Sequence, residues 1–411
     1  MSFQQGLSGL NASSQNLDVI GHNIANANTP GMKSSRAEFA ELYASSLGSS
    51  GGTSSGIGVE VATVSQQFTQ GNISITNNSL DVAINGNGFF QVELPNGSTA
   101  YSRDGAFKLN DDGEIVTNSG GHLMGLTAAA DGSIPTGGAI GPLLLPAGGE
   151  IPAEVSTKID LTFNLDTEAA VATGTAPSAL VPPLATYGTS ALAYNEQGVA
   201  VPVSFYFTKT AVNTWDVYTS VDGATPTLVP TPLTFGTNGT ITPASFTLGS
   251  IALPSASTPP PAGTFSVDIN IADATQQGSK FSVTKAKGDG QAPGTLTAIN
   301  IDESGIIQGT YSNGRSLAAG QIQLASFTNV QGLAPIGGNY WQATVSSGEP
   351  SVKGAPGTGN LGSLRAGSLE DSNVDLTKEL VNMMTAQRAY QANAQTIKTQ
   401  DQVMSTLVNL R

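Results

Sequence analysis

This 411-residue chain contains two histidines and no cysteine, which leaves little for nucleophilic or soft-metal chemistry. The run Gly52-Thr53-Ser54-Ser55-Gly56 reproduces the G-x-S-x-G nucleophile pattern. A working elbow needs a strand before it, a helix after it and a histidine later in the chain. This run lies in a Gly- and Ser-rich stretch that reads as a linker, and the one later histidine is His122. Ser282-Val283-Thr284-Lys285 matches S-x-x-K, but in a strand residues three apart project to opposite faces. His22 and His122 show no spacing suited to metal ligation. Asn110-Asp111-Asp112-Gly113-Glu114 resembles the start of a calcium loop, yet it lacks the ligand at the twelfth position and suits a tight turn. No phosphate loop, H-E-x-x-H or dinucleotide fingerprint is present. The expectation is therefore no enzyme, no catalytic or metal site and no cofactor.

Charge and composition narrow the class further. Sixteen Lys and Arg against thirty Asp and Glu give a net charge of −14, with no basic run, which argues against nucleic acid as a partner. No stretch of roughly 18 apolar residues suggests membrane insertion. The segment Met1–Ser14 lacks a basic region followed by an apolar one, so any export is expected without a cleaved signal peptide. Only 11% of residues are charged, while glycine reaches 49 and proline 22, a composition that favours β-domains with many turns.

The elements form three textures. Phe3, Leu7, Leu10, Ser14, Leu17, Gly21 and Ile24 recur every three or four residues, which predicts a helix over about 2–28, stopped by Thr29-Pro30-Gly31. Its remaining positions are Asn, Gln and Ser, and up to Lys33 the only charge is Asp18. Residues 376–410 contain no Gly or Pro and carry Leu380, Met383, Tyr390, Ala394, Ile397, Met404, Leu407 and Leu410 at helical spacing. A narrow seam stabilises an isolated helix poorly, so both ends need partners: each other and the ends of neighbouring copies. Residues 32–47 are expected to form a short second helix on Phe39, Leu42, Tyr43 and Leu47. The stretches 48–56 and 346–368 read as linkers.

From Ile57 the period becomes two. Leu80, Val82 and Ile84 alternate, with hairpin turns at Pro95-Asn96-Gly97 and Asp111-Asp112-Gly113. Further on, Ile159, Leu161, Phe163 and Leu165 alternate, as do Val201, Val203, Phe205 and Phe207, then Phe265, Val267, Ile269 and Ile271. The expected fold is mainly β with paired terminal α-helices, in a nested multidomain subunit. Residues 1–70 with 366–411 form a helical core, 71–153 with 291–365 a first β-domain, and 154–290 an inserted outer β-domain.

The stretch Asn16-Leu17-Asp18-Val19-Ile20-Gly21-His22-Asn23-Ile24-Ala25-Asn26, followed by Thr29-Pro30-Gly31, resembles the N-terminal signature of bacterial flagellar rod and hook proteins. So do Leu80-Asp81-Val82-Ala83-Ile84 with Gly88-Phe89-Phe90, and the end of the chain from Ser372-Asn373-Val374-Asp375-Leu376 onward. Asn23, Asn26, Gly31, Asn373 and Asp375 carry that signature. Val203–Thr210 through Trp215–Tyr218 resembles the outer domain of the hook members, which the shorter distal rod members lack.

The resemblance implies a structural subunit that polymerises into a flexible tube, a universal joint passing torque from rod to filament. Phe3, Leu7, Leu10, Leu17, Ile24, Leu380, Met383, Tyr390, Ile397, Met404, Leu407 and Leu410 would pack the core helices of the polymer. It also implies an extracellular place in the bacterial flagellum, and as partners further copies of the chain, the rod, the hook cap, the hook–filament junction protein and the flagellar export apparatus. A distal rod or junction role and a secreted adhesive or carbohydrate-binding β-protein are the alternatives.

Overall fold

The computed structural model describes residues 2–43, 56–129, 131–135, 137–145, 150–172, 186–241, 247–254 and 264–409. Helix α1 spans Ser2–Ala25 and helix α2 spans Leu376–Asn409; strands dominate the chain between them. The chain divides into two compact units, one of residues 1–148, 298–310 and 316–411, the other of 149–297 and 311–315. Among the described residues no helix is long and apolar enough to cross a membrane.

In the first unit an antiparallel sheet runs in the order Ile306–Tyr311, Ser316–Ile322, His122–Thr127, Phe89–Glu93, Thr99–Ser102, Tyr340–Gln342, Ala334–Gly337. Neighbouring side chains in a strand face opposite ways, so Phe89 and Phe90 enter different cores. Phe90 packs with Val82, Ile84, Phe107, Leu123 and Leu364, whereas Phe89 packs with Tyr101, Phe327 and Trp341. Residues near the C-terminus complete this unit: Ser363–Ala366 pairs with Val82–Asn85, and Ser368–Glu370 pairs with Ile73–Ile75.

The second unit contains two five-stranded sheets that share one core. Ile159, Leu161, Phe163 and Leu165 come from one sheet and Val201, Val203, Phe205 and Phe207 from the other. Phe163 and Phe207 meet with ring centroids 4.5 Å apart. Val267, Ile269 and Ile271 are fully buried, as their alternation predicts; the side chain of Phe265 lies outside the described set.

Two local expectations are corrected. The helix expected over 32–47 is a strand, β1 (Ser35–Tyr43), paired antiparallel with β2 (Gly56–Gln66) from Ser35↔Gln66 to Tyr43↔Gly56. Phe39, Leu42 and Tyr43 fit a helical period over one turn only, and a run that short does not separate helix from strand. The neighbouring Val59 and Val61 supply the strand partner that decides it. The stretch 346–368 is not a linker. It contains the strands Val352–Gly354 and Ser363–Ala366 and the buried Leu361 and Leu364.

The linker expected at 48–56 lies outside the described residues except for Gly56, the first residue of β2. Because Tyr43 pairs with Gly56, the chain from 44 to 55 joins two strands of one hairpin.

Candidate assembly surface

The two helices run antiparallel, with Gly6 beside Ile397 and Gly9 beside Asn393. Cβ atoms at those glycines would stand 3.1 Å from Ile397 Cγ1 and 2.9 Å from Asn393 Nδ2. Glycine therefore sets how closely the backbones approach. Asn393 Nδ2 donates to Ser13 Oγ at 3.4 Å. At the far end of α1, Asn23 is buried and holds the start of β1 by two bonds: its Nδ2 donates to Ser35 O at 2.8 Å, and Ser35 N donates to its Oδ1 at 2.9 Å.

Each helix thus has one face engaged within the chain and another left open. On α1 the engaged positions are Gly6, Gly9, Ser13, Ile20 and Asn23. The seam read from the sequence lies roughly 100° round the helix from them. Phe3 and Leu7 of that seam are 49% and 43% exposed, and Leu10, Leu17 and Ile24 are half-buried.

On α2, Ala386 is the one buried residue among those described. Met383 and Ile397 are half-buried, while Leu380, Tyr390 and Met404 are exposed, as are Leu376, Val381, Met384 and Val403. Leu407 lies in α2 with its side chain outside the described set, and Leu410 lies outside the described residues. Between the helices, beneath β1, is a cleft of about 470 Å³ lined by residues that include Asn16, Ile20, Arg36, Lys378, Asn382 and Ala386.

At the base of the helices the two chain ends meet the β-domain around one buried carboxylate. Glu370 Oε1 accepts from Lys33 Nζ at 2.6 Å and from Gly71 N at 2.8 Å, and its Oε2 accepts from Arg103 Nη1 at 3.0 Å. Lys33 also donates to Thr69 O at 2.8 Å, and Arg103 to Gly86 O at 2.8 Å, with its guanidinium 5.3 Å from the Phe89 ring. Burial pushes both cations below their ordinary pKa values, opposed in each case by the Glu370 carboxylate. Two buried cations share a single anion, so every partner in the cluster matters.

The signature residues surround this cluster. Gly31 has φ 71 and donates its N–H to Glu370 O at 2.8 Å. Asn373 bridges both ends: its Oδ1 accepts from Ser34 N at 2.7 Å, and its Nδ2 donates to Gln67 O at 2.7 Å. Asp375 caps α2, accepting from Thr377 N at 2.9 Å and Lys378 N at 3.1 Å. Asn26 donates to His22 O at 2.9 Å, at the frayed end of α1.

Sequence reasoning did not single out Lys33, Arg103 and Glu370. The available signal was weak: Lys33 is the first cation in the chain and stands two residues after the Gly31 turn.

The motifs set aside as chemistry fall into structural roles. Lys285 Nζ donates to Asp160 Oδ2 at 2.9 Å, within a strand that also holds Ser282. Asn110 and Glu114 close a hairpin turn on each other at 2.7 and 3.0 Å. His122 Nδ1 stands 3.2 Å from Glu114 Oε2, and the exposed His22 pairs with Asn26. Of Gly52–Gly56, only Gly56 is described. Among the described residues, no group of three or more His, Cys, Asp or Glu is arranged to hold a metal ion.

Comparison with known proteins gives matches along the whole chain. Residues 3–33 match the family described as "Flagella basal body rod protein" and residues 83–160 match "Flagellar hook protein FlgE/F/G D1 domain". Residues 164–291 match "Flagellar basal body protein FlaE D2 domain", and 365–410 match "Flagellar basal body rod FlgEFG protein C-terminal".

The chain is 41% identical to the flagellar hook protein FlgE of Escherichia coli over 420 residues, covering all of both chains. It is 42% identical to that of Salmonella typhimurium over 422 residues, again covering all of both, and 30% identical to that of Brucella suis over 413 residues, covering all of this chain and 98% of the other. The crystal structure of Helicobacter pylori flagellar hook protein FlgE2 shares the fold, with a TM-score of 0.54 at 16% identity over 72% of this chain and all of that one.

Proposed function

The chain belongs to the flagellar hook protein family and is a structural subunit of the hook, and we propose that it assembles through the open faces of α1 and α2. The observation that carries this reading is the set of apolar side chains left exposed on both helices, from Phe3 and Leu7 on one to Leu380, Val381 and Met384 on the other. Burying the exposed half of one such side chain gains roughly 1 kcal/mol, so a set of this size gains several per copy. Helix α2 is about 50 Å long, enough to reach past one neighbour along an axis. Two different faces meeting between identical copies make a heterologous contact, which builds an open helical polymer where its rotation does not close a ring.

In this reading residues 1–70 with 366–411 form the helical core domain, 71–153 with 291–365 a first β-domain, and 154–290 an inserted β-domain. The separate core of the 149–297 unit supports the inserted domain. The assembled tube is a flexible universal joint that carries torque from rod to filament. Its partners are further copies, the rod, the hook cap, the junction protein and the export apparatus that delivers it outside the cell. No cofactor and no enzymatic activity are part of the proposal.

Electron microscopy of purified chain under polymerising conditions tests this. The natural sequence should form tubes, while Leu7→Asp and Leu380→Asp should remain folded, soluble monomers. Tubes at normal yield from both variants would overturn the assignment of the open faces.

A further inference from the structure

We propose that the buried Lys33–Glu370–Arg103 cluster makes docking of the N-terminal segment conditional on prior docking of the C-terminal one. This order is a property of the single chain and does not rest on polymerisation. Lys33 lies in the segment that carries α1, Glu370 in the segment that carries α2, and Arg103 in the β-domain between them. All three side chains are at least nine-tenths buried, at 1%, 0% and 6% exposure.

Consider each end undocked in turn. With the N-terminal segment away, Glu370 keeps Arg103 at 3.0 Å and the Gly71 N–H at 2.8 Å. That is one anion against one cation, and the ladder of Ile73–Ile75 with Ser368–Glu370 stays whole.

Seating the N-terminal segment without the C-terminal one would place Lys33 near Arg103 with no carboxylate between them. Lys33 would keep only Thr69 O. Gly31 N would lose Glu370 O, and Ser34 N would lose Asn373 Oδ1. A buried charge stripped of its partner is strongly destabilising, and a second like charge beside it adds repulsion. The C-terminal segment therefore docks without the N-terminal one, and the reverse arrangement is excluded. Although the N-terminal residues are the first to be synthesised, their seat is complete only when residues 368–375 are in place.

Hydrogen exchange with mass spectrometry on full-length chains tests the order. Glu370→Gln should speed exchange at Gly31–Arg36 by roughly a hundredfold, the scale of a broken buried pair, and by clearly less at 73–75 and 368–370, where Arg103 alone loses its counter-charge. Adding Lys33→Met to Glu370→Gln should recover part of the protection at 31–36, because it brings the cluster back to the single surplus positive charge of the natural sequence. Unchanged protection at 31–36 in Glu370→Gln, or further loss in the double variant, would overturn the proposal. Lys33→Met alone gives a readout if Glu370→Gln does not fold. It should leave the 73–75 and 368–370 amides as protected as in the natural sequence, and their release would show that the two ends dock in the other order or as one.

Discussion

Gly31 shows how much one residue at the junction constrains. Its φ of 71 is a left-handed backbone, and a Cβ there would sit 2.5 Å from Asp104 N. Gly31→Ala should destabilise the first unit by more than the ~1–2 kcal/mol of the backbone term alone, because the Arg103–Asp104 backbone must also move. Gly97→Ala, at φ 79 with nothing within 4 Å, should cost only about 1 kcal/mol. Urea unfolding followed by the Trp341 emission of this unit separates the two, and equal losses would show that the Asp104 contact is unimportant.

In the other unit, Lys285, Asn270 and Lys158 hold the Asp160 carboxyl well below the usual carboxylate range. A depressed folded pKa contributes stability in full above the unfolded value of roughly 3.9, and that stability is lost as pH falls through the folded value. Asp160→Asn should lower the unfolding midpoint at pH 7, by about 1 kcal/mol or less since solvent screens the pair, and the deficit should close in strong acid. A deficit independent of pH would point to packing instead. Signature residues such as Asn373 and Asp375 were legible in the sequence as motif members, whereas their bonds to Ser34 and Thr377 were not. Glu370 was invisible because its partners stand 337 and 267 residues away, a separation no local pattern encodes.

Helices, with strong periodicity over many turns, were the most legible elements. Both ends were expected as helices, and α1 and α2 are where the pattern put them. The pattern did not say which seam positions face the chain's other end: α1 meets α2 through Gly6 and Gly9, which carry no hydrophobic signal, while the seam residue Ile397 stands against Gly6. Phe3 and Leu7 of the same seam stay exposed in the single chain. Strand β1 was misread for a related reason: its identity comes from β2, a partner across residues 44–55, and not from its own nine residues.

The helix contact can be tested by opposing substitutions on α1. Gly6→Leu overfills the space before Ile397 and should cost about 1–3 kcal/mol of helix-pair stability. Gly21→Ala meets nothing within 4 Å and removes a mid-helix glycine, so it should add roughly 0.5–1 kcal/mol. Far-UV circular dichroism through a thermal melt should move in opposite directions for the two variants. A stabilising Gly6→Leu would mean that the two backbones do not depend on this close approach.

For the molecule as a whole, the decisive property is that its two unpartnered faces differ. Phe3 and Leu7 on α1 and Leu380 and Met384 on α2 are exposed toward opposite ends of the antiparallel helix pair. If the α1 face of one copy meets the α2 face of the next, every added copy buries one face and presents the other, and growth has no natural end. If like faces met instead, association would close at a pair. The net charge of −14 makes copies repel, so screening by moderate salt should speed growth without changing which faces meet.

Mixing distinguishes the two geometries. A Leu380→Asp copy retains its α1 face, so it can join a growing end and then offers a charged group where the next copy must dock. Added at a small fraction of the total, it should shorten the tubes far more than in proportion to its share. Copies that matched like faces would stop at pairs and give no tubes to shorten. Length distributions measured by electron microscopy across a mixing series decide between these outcomes. Unchanged lengths at every ratio would show that the α1 and α2 faces are not the two halves of the growth contact.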